Sequence, residues 1–296
     1  MKRIFLLSIV SLALVVGSRS GWAQNNINSD SSVQSFVVGT GTTCPPSLTE
    51  FIADGTFNLP ECAGGSGLVL AQVQGGGGCG GGGGGQLVGT GGGGGAGAGG
   101  GQLVVVPVFV SGAVTVTIGA VCTAGIGGIS NGASATDGTD GSNVLFGSVT
   151  ALGGRGGLHG ANGGGGGQGG NSQPVATAGD SAPSNSIPIQ QLGLFGDRGR
   201  KGGNGCSEIC SSQPGASSAL FAGGTSAGAV NFTGGGGAAT EFGSGGSGGT
   251  SGTPIGGAPA GTAYGAGGGG GLGTAGANGS AGGVGALGIV RVIFLK

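Results

Sequence analysis

Apolar and polar positions alternate over short stretches that lie far apart along the chain. Val114-Thr115-Val116-Thr117-Ile118 puts its apolar residues on one face and its hydroxyls on the other, the period of two of a half-buried strand. Near the end of the chain Val290, Val292 and Phe294 share a face and Arg291 takes the opposite one, within a strand expected over 288–295. Further strands are expected over 68–74 and 103–110, where Pro107 marks a sheet edge or a break. A weaker pattern runs over 143–151. Residues 50–53 and 55–60 are expected to pair as a hairpin about an Asp54-Gly55 turn. Past the first two dozen residues no apolar pattern of period 3.6 runs far enough for a useful helix, so the fold class is all-β: a small antiparallel sandwich around one apolar core.

Glycine fills the intervals. The chain has 86 glycines in 296 residues, and each costs more backbone entropy to order than any other residue. Disordered chains are usually rich in charge and poor in β-branched residues. Here only 6 % of residues are charged and valine-rich runs recur, which favours order. The glycines also keep a period. Gly267, Gly270, Gly273, Gly276, Gly279, Gly282, Gly285 and Gly288 form an unbroken run of every third residue. Shorter runs start at Gly154, Gly196 and Gly243.

Three residues per turn is the period of the polyproline-II helix, which has no internal hydrogen bonds. Collagen has that period but needs proline in the intervening positions, and triplets such as Gly273-Thr274-Ala275 have none. Every N–H is therefore free to donate and must find an acceptor. The arrangement that satisfies them is a bundle of polyglycine-II helices, hydrogen-bonded side by side and inserted between the strands.

The first residues add a compartment. Lys2 and Arg3 precede an apolar run over 4–16, and Gly21-Trp22-Ala23 ends a small-residue stretch, so residues 1–23 read as a cleaved signal peptide. Its 13-residue apolar run is short for a membrane span, and no other stretch is long enough for one. Removing Lys2, Arg3 and Arg19 leaves six basic residues against ten acidic. That balance, with no dense basic patch, excludes nucleic acid as the expected partner. Residues 24–49 form an N-terminal extension in which 32–38 is a candidate free β-strand, and 50–296 form the glycine-rich domain.

Six cysteines remain after cleavage: Cys44, Cys62, Cys79, Cys122, Cys206 and Cys210. An even number in an exported chain reads as disulfides, with fifteen pairings open. One histidine and no CxxC argue against zinc. Recurrent GxGxxG words lack the strand–turn–helix context of a nucleotide site. His159 lies inside a glycine run and reads as a surface residue. Asp137 and Asp140 have the look of a calcium loop, but without further carboxylates nearby they read as a turn. We therefore assign no catalytic residue, cofactor or metal. The one charge cluster, Asp197-Arg198-Gly199-Arg200-Lys201, offers Arg198, Arg200 and Lys201 as a candidate contact surface for an anionic glycan or another subunit.

The order of these parts is familiar. Thr56-Phe57-Asn58-Leu59-Pro60 opens it, and a valine strand then runs into polyglycine over 68–85. Val114 to Gly119 supplies a Thr-Val-Thr-Ile-Gly close, followed by a Gly…Phe-Gly element over 141–147 and Thr150 to Gly154. Gly282 to Phe294 ends it with glycine and an aliphatic strand. Over 50–296 the chain resembles the glycine-rich domain of phage tail-fibre tips, adhesins and secreted bacterial glycine-rich proteins. The resemblance implies a non-catalytic adhesive or binding protein at the cell exterior, whose partner is a cell-surface glycan or protein. The periplasm is the other expected compartment for a bacterial chain. The alternative is a self-associating subunit of an extracellular filament or matrix, joined by exchange of the N-terminal strand.

Overall fold

The computed structural model describes residues 33–37, 44–85, 92–130, 134–161, 196–197, 212, 214–218, 220–225, 233–249, 261, 263–274 and 277–295. The expected signal peptide, Cys206, Cys210, Arg198, Arg200, Lys201 and Gly276 lie outside them. The strands are β1 (Val33–Val37), β2 (Ser47–Phe51), β3 (Gly55–Phe57), β4 (Ser66–Gln74), β5 (Leu103–Ser111), β6 (Val114–Thr117), β7 (Val144–Phe146), β8 (Val149–Ala151), β9 (Gly196–Asp197) and β10 (Ile289–Phe294). A single 3-10 turn, Glu61–Ala63, is the only helical element among the described residues. The all-β expectation holds in that form.

The strands make two antiparallel sheets, one ordered β1-β2-β10-β4-β5-β9 and the other β3-β6-β7-β8. Both contribute to one buried apolar cluster. Phe51, Val69, Ala71, Val73, Val104, Val290, Val292 and Phe294 come from the first sheet, and Phe57, Val116, Val144, Phe146 and Ala151 from the second. The inward face expected of β10 is the observed one, with Val290, Val292 and Phe294 all at 1 % exposure or less. β5 is not broken by Pro107. The strand runs through it, and among the described residues only Leu103 and Val104 pair on the outer side, with β9. Pro107 thus stands in a stretch of edge, where a missing N–H costs no ladder bond.

The expected hairpin over 50–60 is not formed. β2 pairs with β1 and β10, whereas β3 pairs with β6 in the other sheet. The chain crosses between the sheets because Phe51 and Phe57 both go into the shared core. Asp54 marks the corner, its carboxylate accepting the Ile118 N–H at 2.7 Å beyond the end of β6. The weak pattern over 143–151 is instead a hairpin of β7 and β8, turning through Gly147 at φ 57°. That left-handed conformation suits glycine. The expected free strand is β1, paired along its whole length with β2 of the same chain, from Val33↔Phe51 to Val37↔Ser47. Sheet pairing therefore starts well before residue 50, at Val33 in β1 and again at Ser47 in β2.

Six strands continue without interruption into glycine-rich segments. β4 leads into 75–85, 92–102 leads into β5, and 277–288 leads into β10. In the other sheet β6 leads into 118–130, 134–143 leads into β7, and β8 leads into 152–161. Two buried glutamines stand at the junction. Gln74 Nε2 donates to the Gly101 carbonyl at 2.9 Å, and Gln102 Oε1 accepts the Leu152 N–H at 3.2 Å.

The segment 75–85 is enclosed by the others. Its amides donate outward in steps of three. Gly75, Gly78, Gly81 and Gly84 bond the carbonyls of Gln102, Gly99, Ala96 and Gly93. Gly76, Cys79 and Gly82 bond those of Ser142, Thr139 and Thr136, and Gly77, Gly80 and Gly83 those of Ala286, Gly283 and Ser280. These bonds measure 2.8–3.0 Å. Three further segments return donors with the same step. Gly154, Gly157 and Gly160 bond the carbonyls of Gly76, Cys79 and Gly82. Gly125 and Gly128 bond Gly80 and Gly83, and Gly268, Gly271 and Thr274 bond Gly78, Gly81 and Gly84. The main chain of this segment is thus tied to antiparallel neighbours through its amides and to parallel ones through its carbonyls.

Glycine is required here by proximity. A Cβ added at Gly80 would overlap the Gly269 carbonyl, and one at Gly282 would overlap that of Gly80. The triplet glycines are therefore contact positions between main chains. Val284, two residues beyond Gly282, is 39 % exposed. Gly282→Ala should destabilise the protein by about 3 kcal/mol or more, since overpacking adds to separated hydrogen bonds. Val284→Ala should cost less than about 0.5 kcal/mol, the usual range for surface positions. Urea denaturation of both variants checks this, and equal midpoints would contradict it.

Candidate functional site

Among the described residues, the segment 134–143 carries its polar side chains in a regular pattern, and its sequence explains why. Ala135, Gly138 and Gly141 recur every third residue, as do Thr136, Thr139 and Ser142, and Asp137, Asp140 and Asn143. With three residues per turn each set occupies its own face. The small face lies against 76–82, where a Cβ at Gly138 would overlap the Cys79 carbonyl.

The hydroxyl face meets 120–126. Thr136 donates its N–H to the Ile126 carbonyl at 2.9 Å, and its Oγ1 accepts the Ile126 N–H at 2.8 Å. Thr139 does the same with Thr123, at 2.9 and 2.7 Å. Ser142 Oγ donates to the Ala120 carbonyl. The carboxyl face meets 153–159. Asp137, Asp140 and Asn143 accept the N–H groups of His159, Gly156 and Gly153 at 2.8, 2.8 and 3.0 Å.

Asp137 and Asp140 therefore lie neither in the expected turn nor in a calcium loop. They are acceptors in an extended segment, and no group of three His, Cys, Asp or Glu positioned for a metal occurs among the described residues. His159 is a surface residue, as its place in the glycine run implies. Its Nδ1 lies 2.6 Å from the same Asp137 oxygen that accepts its main-chain N–H. This fixes the ring on a structural carboxylate, with both partners about half exposed.

Among the described residues there are two disulfides, Cys44–Cys62 and Cys79–Cys122. The first joins the start of β2 to the 3-10 turn. The second ties the enclosed segment 75–85 to 119–130 from a fully buried Cys79, whose sulfur also accepts the Gly285 N–H at 3.3 Å. The Arg198, Arg200 and Lys201 cluster lies outside the described residues; Asp197, just before it, pairs with Leu103 at the edge of the first sheet.

A second polar contact escaped the sequence. Arg291, expected simply to face away from the core, pairs with Glu50 at 2.5 Å and lies 4.7 Å from the centroid of the Phe242 ring. It joins the outer face of the first sheet to the turn at 241–242. Register alone could have found the ion pair, since Arg291 lies opposite Glu50, but Phe242 gave no signal.

No family model matches the chain, and no curated protein matches it. Among the described residues no helix is long and apolar enough to cross a membrane.

The two disulfides differ in access, since Cys62 is exposed and Cys79 is not. Under mild reductant without denaturant, Cys44 and Cys62 should be alkylated well before Cys79 and Cys122. Peptide mapping over a time course checks the order, and simultaneous release would contradict it.

Proposed function

We propose that this chain is a secreted, non-catalytic adhesive or binding protein, built as a two-sheet sandwich capped by a bundle of polyglycine-II helices. The observation that carries the proposal is the hydrogen bonding of 75–85, which changes partner at every residue and returns to the same one at every third. Such a periodicity suits helices of three residues per turn packed on one another. At about 3.1 Å per residue, an eleven-residue segment of this kind is roughly 34 Å long. It is a stiff rod with few side chains, suited to holding loops away from the body that carries it.

Adhesion enters through the resemblance to glycine-rich fibre tips and adhesins. Export enters through the leader-like residues 1–23, and the two disulfides are compatible with an oxidising compartment. The partner class is a cell-surface glycan or protein, and Arg198, Arg200 and Lys201 are the basic residues offered to it. The side chains with chemical potential in the described region, His159 and its carboxylate among them, serve the scaffold in this reading.

A filament or matrix subunit is the second reading. It is favoured by the position of β1, an edge strand of which every paired residue lies on β2. A neighbour's β1 would make the same bonds, so exchange replaces like with like.

Negative-stain microscopy and a glycan array separate the two. The proposal expects discrete particles and saturable binding, weakened severalfold in Arg198→Ser/Arg200→Ser/Lys201→Ser. Filaments without glycan or cell binding would instead support strand exchange. Particles that bind neither glycans nor cell-surface extracts would overturn adhesion.

A further inference from the structure

An open sheet ends in strands whose outer N–H and C=O groups lack partners, and such edges pair with other chains unless something prevents it. The edges here are β1 and β9 in the first sheet and β3 and β8 in the second. Three of them are guarded. β3 and β8 have three residues each, and short edges are poor templates. β9 has two, and the β5 edge that continues beyond it carries Pro107. β1 is different. It has five residues, Val-Gln-Ser-Phe-Val, with no proline and no charge. Among the described residues nothing pairs with its far side.

The register shows which main-chain groups of β1 are free. Along an antiparallel strand, successive residues turn their N–H and C=O groups alternately to the two neighbours. Leu295 donates its N–H to the Leu68 carbonyl, so the odd-numbered residues of β10 bond β4 and the even-numbered ones bond β2. The even residues Val290, Val292 and Phe294 lie opposite Phe51, Thr49 and Ser47. Glu50 and Leu48 are left to bond Gln34 and Phe36 of β1. Val33, Ser35 and Val37 therefore turn their N–H and C=O groups outward. Carried the other way through β4, the same alternation turns the Pro107 nitrogen outward, where its missing N–H costs no bond to β4.

We propose that β1 is a dimerisation edge, pairing antiparallel with β1 of a second copy about a twofold axis at Ser35. That register sets Ser35 opposite its counterpart and Val33 opposite Val37, and it engages all five residues. The three outward residues of each strand then exchange six main-chain bonds. A second copy suits this strand because a twofold axis brings every charge close to its own like, and β1 has none. The nearest charge, Glu50 on β2, is already paired with Arg291. Each β1 stays on its own β2, in contrast to strand exchange. The contact is isologous and closed, since both unguarded edges are consumed and the guarded ones offer no site for growth. The product is a discrete particle carrying two bundles, whatever ligand those bundles take.

Sedimentation of the purified full chain should show a reversible dimer at about 100 µM, where even a weak interface is populated. Ser35→Pro removes one outward N–H and leaves the bonds to β2 in place. It should weaken the dimer about a hundredfold, from two lost bonds and the ring between them, with an unchanged circular dichroism spectrum. Cysteine crosslinking under mild oxidant reads the register, because opposite residues lie about 4.5–5.5 Å apart at Cα, within disulfide range. Ser35→Cys should link to itself. Gln34→Cys should not, but should link to Phe36→Cys when the two variants are mixed. A monomer at that concentration would overturn the proposal, as would a dimer that survives Ser35→Pro. Filaments, or failure of Ser35→Cys to link within a dimer, would also overturn it.

Discussion

The constraint on which the rest depends is that buried amides must be bonded when neither an α-helix nor a sheet ladder supplies the partner. In 75–84 every successive residue points its N–H toward a different neighbour. The segment therefore cannot be satisfied until antiparallel segments surround it. Those neighbours must come close enough for main chains to touch, and that closeness admits only hydrogen where a side chain would begin. The composition follows from the bonding. Glycine is abundant because main chains replace side chains as the packing units.

This core is not self-sufficient on energetic grounds. Ordering a residue costs about 1–2 kcal/mol of backbone entropy, more for glycine, and a hydrogen bond contributes only about 1 kcal/mol net. Nucleation must come from elsewhere. The sheets provide it, because six glycine segments are direct continuations of strands already aligned by Phe51, Phe146, Phe294 and the valines around them. Antiparallel β4 and β5 hand their geometry to antiparallel 75–85 and 92–102. The buried Gln74 and Gln102 bridge the change from ladder to threefold bonding.

Much of this was legible in the sequence. The inward face of β10, the all-β class and the edge that was one of the two readings of Pro107 rest on local patterns of two or three residues. The failures were of two physical kinds. The hairpin expected at Asp54-Gly55 had the right turn chemistry, but Phe51 and Phe57 are drawn to one core from different sheets, a tertiary choice invisible to local pattern. Asp137 and Asp140 read as a turn because each precedes a glycine, the local chemistry of turns. The same period of three runs through the threonines and aspartates between the glycines and would have shown three distinct faces. The disulfide pairings were illegible, since nothing local brings Cys79 to Cys122 across 43 residues.

Amide hydrogen exchange, followed residue by residue, tests the central claim most directly. If main-chain bonding forms a true second core, the amides of 75–84 and 267–271 should exchange only through global unfolding, as slowly as those of Val69 and Val73 in β4. Exchange of these glycines at the rate of an unstructured chain, while β4 stays protected, would contradict the account.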